Sequence, residues 1–337
     1  MNRQFIELIE NLSDPVLNGR VPGTTGHDQA RKLIIDQMET MKLEPLLTSG
    51  WEQIYVADDT VIGRNILAVK KGNAKKDWLL LGAHYDHLTG FPGADDNAAA
   101  IGILLSVMDS LKNSHLDLNI VLAIFDMEEP PYFKTPDMGS VYFYRHLPEC
   151  LDFRFFHGAI ILDLCGHDLA VCDRENALFA VGAETSPALS HSINKAREKN
   201  EEIQTYKLKS RDILYLSDHY IFDINKKPNL FFSCGHWPYY HTKHDTFENL
   251  NHKKIENIAE FIKHLALEMD ETIRGKNVVL NPFTDMDEAL ELGRFLDTKL
   301  STTHLDTICS VLMTEISTEL KTDLGTLRRI LKELGLL

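Results

Sequence analysis

Residues 82–100 read GAHYDHLTGFPGADDNAAA and place His84, Asp86, His87, Asp95 and Asp96 between two apolar runs, Trp78–Leu81 and Ile101–Leu105. Crowded carboxylates repel one another, and buried charge is costly unless it is paired or bound to a metal. The stretch therefore asks for a cation. Three other places carry the same residue types. Asp126-Met127-Glu128-Glu129 follows the apolar run Asn119–Phe125, Asp163 lies within Ala159–Leu164, and YYHTKHDT supplies His241 and Asp245.

Two zinc ions held close together need a bridging carboxylate and a few neutral or anionic donors each. Asp96 is placed to bridge. It follows a glycine-bearing turn at Pro92-Gly93 and precedes a helix expected to begin near Asn97, where the helix dipole favours a negative charge. His84 and Asp163 can complete one ion's shell, and Glu129 and His241 the other's. Glu128 then sits beside a ligand but is itself free, as a general base must be. Asp86, two residues from His84, is expected to orient that imidazole through its far nitrogen. Asp245 is read as a further supporting carboxylate. His87, His219, His236 and His244 lie near these motifs, but five ligand positions are already filled, so they are left as residues that support the ligands or the structure. Singly, such residues are usually turns, caps or solvated faces; their joint occurrence is what points to a metal site.

The elements that must position them are legible as short apolar runs. Arg64–Lys70, Trp78–Ala83, Asn119–Phe125 and Ala159–Leu164 read as strands buried on both faces. Helical spacing of apolar residues marks 25–41, 97–111, 139–147, 187–199 and 261–273. Alternation of strand and helix predicts an α/β fold with a mixed, mostly parallel central sheet flanked by helices on both faces. In such sheets ligands gather at the carboxyl ends of strands, where these acids and histidines fall.

The 337 residues carry a formal net charge of −15, which argues against nucleic acid or an anionic membrane as partner. No apolar run is long enough to span a bilayer. The N-terminal segment lacks the layout of a signal peptide, and the five cysteines are scattered without C-x-x-C spacing. Both features lead to the expectation of a cytoplasmic protein, or a secreted one if a leader has been removed.

As a set, His84-x-Asp86, GADDNA, the Glu128-Glu129 pair, LDL, SDHYIF and YHTKHDT resemble the M28 zinc aminopeptidases, from the LNGRVPG segment to near Arg274. The resemblance implies a zinc-exopeptidase, phosphorylase/hydrolase-like fold and two zinc ions per chain, with cobalt or manganese as alternatives. It implies that Asp96 rather than Asp95 bridges, that a cis peptide follows Asp96, and that Tyr240 helps stabilise the oxyanion. The implied activity is removal of the first residue from peptides with a free N-terminus, Glu128 passing a water proton to the leaving amine. Residues 1–277 would form the catalytic domain. Residues 278–337 would form a helical extension, expected to pack on that domain, with self-association or regulation as alternatives.

Other readings on the same fold are a single-zinc glutaminyl cyclase, an M20-type dipeptidase or carboxypeptidase, and a non-catalytic binding module. The twelve-position step from His84 to Asp96 is shorter than the M20 pattern. The intact donor set argues against the binding module. The residue preference of the first pocket, the native metal, the role of the tail and that of the Pro130-Pro131 loop have no signature in the sequence.

Overall fold

The apolar runs form the centre of a nine-stranded sheet. The computed structural model describes residues 1–57, 60–171, 173–210, 216–275 and 279–296. In chain order the strands are β1 (Glu44–Pro45), β2 (Glu52–Ala57), β3 (Val61–Lys70), β4 (Trp78–His84), β5 (Asn119–Phe125), β6 (Phe156–Leu162), β7 (Ala177–Val181), β8 (Gln204–Leu208) and β9 (Asn229–Ser233). Their spatial order is β1-β3-β5-β4-β6-β9-β7-β8, with β2 on β3. The central strands β5, β4, β6 and β9 are mutually parallel, whereas β3 and β7 run against their neighbours β5 and β9. The sheet is mixed with a parallel centre.

Successive side chains of a strand point to opposite faces, and both faces are covered. In β4, Leu79, Leu81 and Ala83 join one core, while Trp78 and Leu80 join the other. The first core packs under α1 (Arg3–Leu12), α2 (Thr25–Thr40), α3 (Ala99–Leu111), α5 (Pro187–Lys199) and α7 (His252–Arg274). The second lies under α4 (Gly139–Arg145), α6 (Tyr220–Ile224) and α8 (Asp285–Leu296). This two-sided burial is why the central strands read as continuous apolar runs rather than alternating ones.

Among the boundaries that differ from the sequence reading, two have a visible cause. α7 starts at His252, well before Phe261. Its first turn buries Lys254, whose ammonium donates to the carbonyls of His167 and Glu175, so the helix start is hidden from an apolar pattern. α3 starts at Ala99, because Asp96 and Asn97 have non-helical dihedrals and are joined by a cis peptide. Asp96 therefore lies in a turn separated from the helix by Asn97 and Ala98, and not directly before its first residue.

Of the expected C-terminal extension, α8 lies within the described residues. Phe295 is buried against Phe179 and Tyr206, and Glu291 pairs with Arg197 of α5 at 2.6 Å. Leu290 is exposed. The leucines expected to continue the helix, from Leu300 to Leu334, lie outside the described residues. No described helix is long and apolar enough to cross a membrane.

Candidate metal centre

Parallel strands end on the same rim. β4 ends at His84, β5 leads into Asp126–Glu129, β6 is followed by Asp163, and β9 leads into the segment carrying His241. The Asp95-Asp96 turn leans in from the start of α3. All five sequence-predicted ligands and Glu128 converge there, and all but His241 are buried.

The donors fall into two groups that share Asp96. His84, Asp96 and Asp163 form one, and His87, Asp96, Glu129 and His241 the other; within each, the donor atoms all lie within 4.8 Å of one another. The two oxygens of Asp96 face different ways. Oδ1 is 3.3 Å from His84 Nε2, and Oδ2 is 3.1 Å from His241 Nε2. Asp163 Oδ2 lies 3.6 Å from His84 Nε2, and Glu129 Oε1 lies 3.2 Å from His241 Nε2. Asp96 is thus oriented as a bridge. Its neighbour Asp95 turns away, accepting from Gly166 N at 2.5 Å and pairing with His167 Nδ1 at 2.6 Å.

The charge balance of this cluster suits cations. Burial opposes a charge on Asp96, yet His87, His241 and His84 outweigh it and hold its pKa well below the usual range. Burial likewise opposes charge on His84, but the carboxylates of Glu128 and Asp163 win and push its pKa well up. Burial also opposes charge on His241, yet its hydrogen bonds to Asp96 and Glu129 push its pKa up to about 10. His84 Nε2 and Asp163 Oδ1 are buried with no hydrogen-bond partner. Such orphaned nitrogen and oxygen atoms at one rim, with neutral imidazole and carboxylate chemistry, fit divalent metal binding.

Glu128 points into the same space, with Oε2 3.9 Å from His84 Nε2. Burial is the main cause that raises its pKa well above that of an ordinary glutamate, with Asp163 and Glu129 adding to it. Tyr240 stacks on the His241 ring at 3.7 Å. Burial and the surrounding acids raise its pKa, so its hydroxyl stays a donor.

Several supports position these groups. The Asp86 carboxylate accepts the backbone N–H groups of Glu128 and Glu129, each at 3.0 Å. These two contacts come in addition to the expected position of Asp86 beside the far nitrogen of His84. Its backbone carbonyl faces His84 Nδ1 at 3.1 Å, while its carboxylate is 3.6 Å away. Asp245 accepts from Asp95 N and Asp96 N, at 2.7 and 3.2 Å, and so holds the bridging turn. Met127, Leu164 and His241 all have positive φ, at 58°, 53° and 53°. Such backbone is strained for residues with a side chain, and here it occurs at or beside Glu128, Asp163 and the last histidine.

Sequence reasoning missed three residues. His87 was set aside because the ligand count was full; it lies in the second donor group. Arg20 is fully buried and donates to the carbonyls of Leu12, Tyr85, Pro92, Gly93 and Asp96. Its signal was only a lone arginine in LNGRVPG. Asp218 of SDHY is buried beside the site, and burial pushes its pKa up to about 7.

A profile of peptidase family M28 matches residues 65–266. The chain belongs to peptidase family M28. Among curated relatives, it is 31% identical over 109 residues to the uncharacterized protein YfbL of Escherichia coli, a match covering 29% of this chain and 33% of that protein. Bovine glutaminyl-peptide cyclotransferase is 26% identical over 300 residues, covering 78% of this chain and 81% of its own. Among solved structures, a zinc aminopeptidase from Bacillus subtilis superposes with a TM-score of 0.65 at 16% identity, covering 81% of this chain and 96% of that one. A glutaminyl cyclase from Bacteroides thetaiotaomicron gives 0.61 at 19% identity, over 78% and 96%. These structural likenesses establish the shared fold, and the M28 match agrees with the sequence resemblance.

Proposed function

We propose that this M28 chain is a two-zinc aminopeptidase that hydrolyses the first peptide bond of substrates with a free N-terminus. The observation that carries the reading is Asp96, whose two oxygens face two separate donor groups. His84, Asp96 and Asp163 would hold one ion, and Asp96, Glu129 and His241 the other. Bound ions supply Lewis acidity, lowering the pKa of water and polarising the carbonyl of the bond to be cut. Glu128 accepts the proton of the attacking water and delivers it to the leaving amine. Its raised pKa suits both halves of that transfer. The Tyr240 hydroxyl donates to the oxygen on which negative charge develops. The acidic rim favours the α-ammonium of a substrate, in keeping with the net charge of −15.

The long alignment with bovine glutaminyl-peptide cyclotransferase supports one rival, intramolecular cyclisation of an N-terminal glutamine on the same scaffold. Elemental analysis of the purified protein, together with the Glu128→Gln variant, tests the preferred reading. Wild-type protein is expected to carry close to two divalent ions. Glu128→Gln is expected to keep them and lose roughly 10²–10⁴-fold in turnover of an aminoacyl amide. Turnover like that of the wild type would remove Glu128 from the base role.

A further inference from the structure

The two donor groups are unequal in a way the resemblance does not imply. Beside Asp96, Glu129 and His241 stands a fourth donor, His87. Its Nδ1 lies 2.9 Å from Glu129 Oε1 and 3.7 Å from Asp96 Oδ2. His241 Nε2 completes a ring with the same two oxygens, at 3.2 and 3.1 Å. Zinc bonds of about 2.0–2.1 Å in a tetrahedron place neighbouring donors roughly 3.3 Å apart. The four separations straddle that value, as expected for two nitrogens and two oxygens around one ion.

The local chain fixes His87 there. Its backbone N–H donates to the Arg20 carbonyl at 3.3 Å. Gly93 has φ +62°, and a Cβ placed on it would come within 2.5 Å of the His87 ring, so only glycine lets the ring lie against this turn. The ring is buried. In the other group, among the described residues, stand only His84, Asp96 and Asp163, and there Glu128 approaches.

We infer that His87 is a metal ligand, giving one ion four protein donors and leaving the ion at His84 and Asp163 with three. Four protein donors are the mark of a closed zinc shell; three leave a position for water or substrate. The assignment rests on the two-ion reading above. It divides the labour between the positions: the ion at His87, Glu129 and His241 is held tightly and anchors Asp96, and the more weakly held ion at His84 and Asp163 faces Glu128 and takes the substrate.

Zinc titration of the metal-stripped full chain, in competition with a chromogenic chelator, tests this without any activity readout. Wild-type protein should show two unequal binding steps. His87→Gln should weaken the tighter step by at least about 100-fold, the upper end of what loss of a mere supporting contact costs. His84→Ala should abolish the weaker step and leave the tighter one. His87→Ala gives a second reading should the glutamine variant not fold. Two steps left unchanged by His87→Gln or His87→Ala would overturn the assignment while leaving the two-ion reading intact, as would loss of the weaker step alone. A single ion in the wild type, lost in the His87 variants, would keep His87 as a ligand and remove the two-ion reading. A single ion that persists in them would remove both.

Discussion

The Asp86 carboxylate holds the backbone N–H of Glu128 at 3.0 Å with one oxygen, and with the other it holds the N–H of Glu129 at the same distance. One buried acid thereby fixes both the proposed base and its metal-binding neighbour. Hydrogen bonds of this kind lower the pKa of the acceptor, and that of Asp86 is held below its usual value against the effect of burial, by His84 first and then by these two N–H groups.

Asp86→Asn keeps the shape but replaces one acceptor by an NH₂ facing a backbone N–H. The expected outcome is a loss of roughly 10–100-fold in turnover or zinc affinity. Steady-state kinetics and metal content together measure it. A variant indistinguishable from wild type in both would show that the Glu128-Glu129 segment keeps its place without Asp86.

Arg20 ties together parts of the fold that are far apart in sequence. It binds the ends of α1 and β4 to the turn that presents Asp96 through five carbonyls. Burial lowers its pKa, an effect that Asp96, Asp245, Asp86 and Glu129 oppose. Arg20→Ala leaves buried carbonyls without donors and should lower the unfolding free energy by at least roughly 3 kcal/mol. Urea denaturation measures this as a fall in midpoint. Arg20→Lys, which keeps the charge but not the planar fork, should recover only part of it. An unchanged midpoint in Arg20→Ala would remove the clamp.

The centre of the fold was legible because strands buried on both faces write their burial into sequence as unbroken apolar runs. β3, β4, β5 and β6 were found that way, and with them His84, Glu128, Glu129 and Asp163 at their ends. The central strand β9 and the outer strands were not found. β2 alternates exposed and buried residues at the sheet's margin, and β8 carries the buried Lys207 within only five residues. His87 escaped for another reason. Counting ligands assumed an equal division between two ions, and nothing in the spacing shows that the turn at Gly93 brings a second histidine of the same stretch to the rim. Asp86 was placed correctly near His84, but its backbone contacts to residues 42 and 43 positions away cannot be read from local sequence.

His219 stacks on Phe231 at 4.3 Å, and burial, with a smaller effect from Lys134, lowers its pKa from 6.5 to about 3. The folded chain therefore binds fewer protons at this group than the unfolded chain between those values. Its contribution to stability is full above pH 6.5 and is lost as pH falls toward 3, at about 1.4 kcal/mol per pH unit. Denaturant melts of wild type and His219→Gln from pH 7 to pH 4 should differ in slope, the variant being flatter. Parallel slopes would show that His219 takes up its proton while folded.

The product formed from a synthetic peptide that begins with glutamine tests the central claim most directly. The zinc-loaded protein is incubated with the peptide, and the products are read by mass spectrometry. Hydrolysis releases free glutamine and leaves the peptide one residue shorter. Cyclisation releases ammonia and leaves a full-length peptide with a blocked N-terminus. The account predicts the shortened peptide, and predicts further shortening with time as each new N-terminus is exposed. Accumulation of the blocked full-length peptide, with no shortening of it or of peptides beginning with other residues, would contradict it.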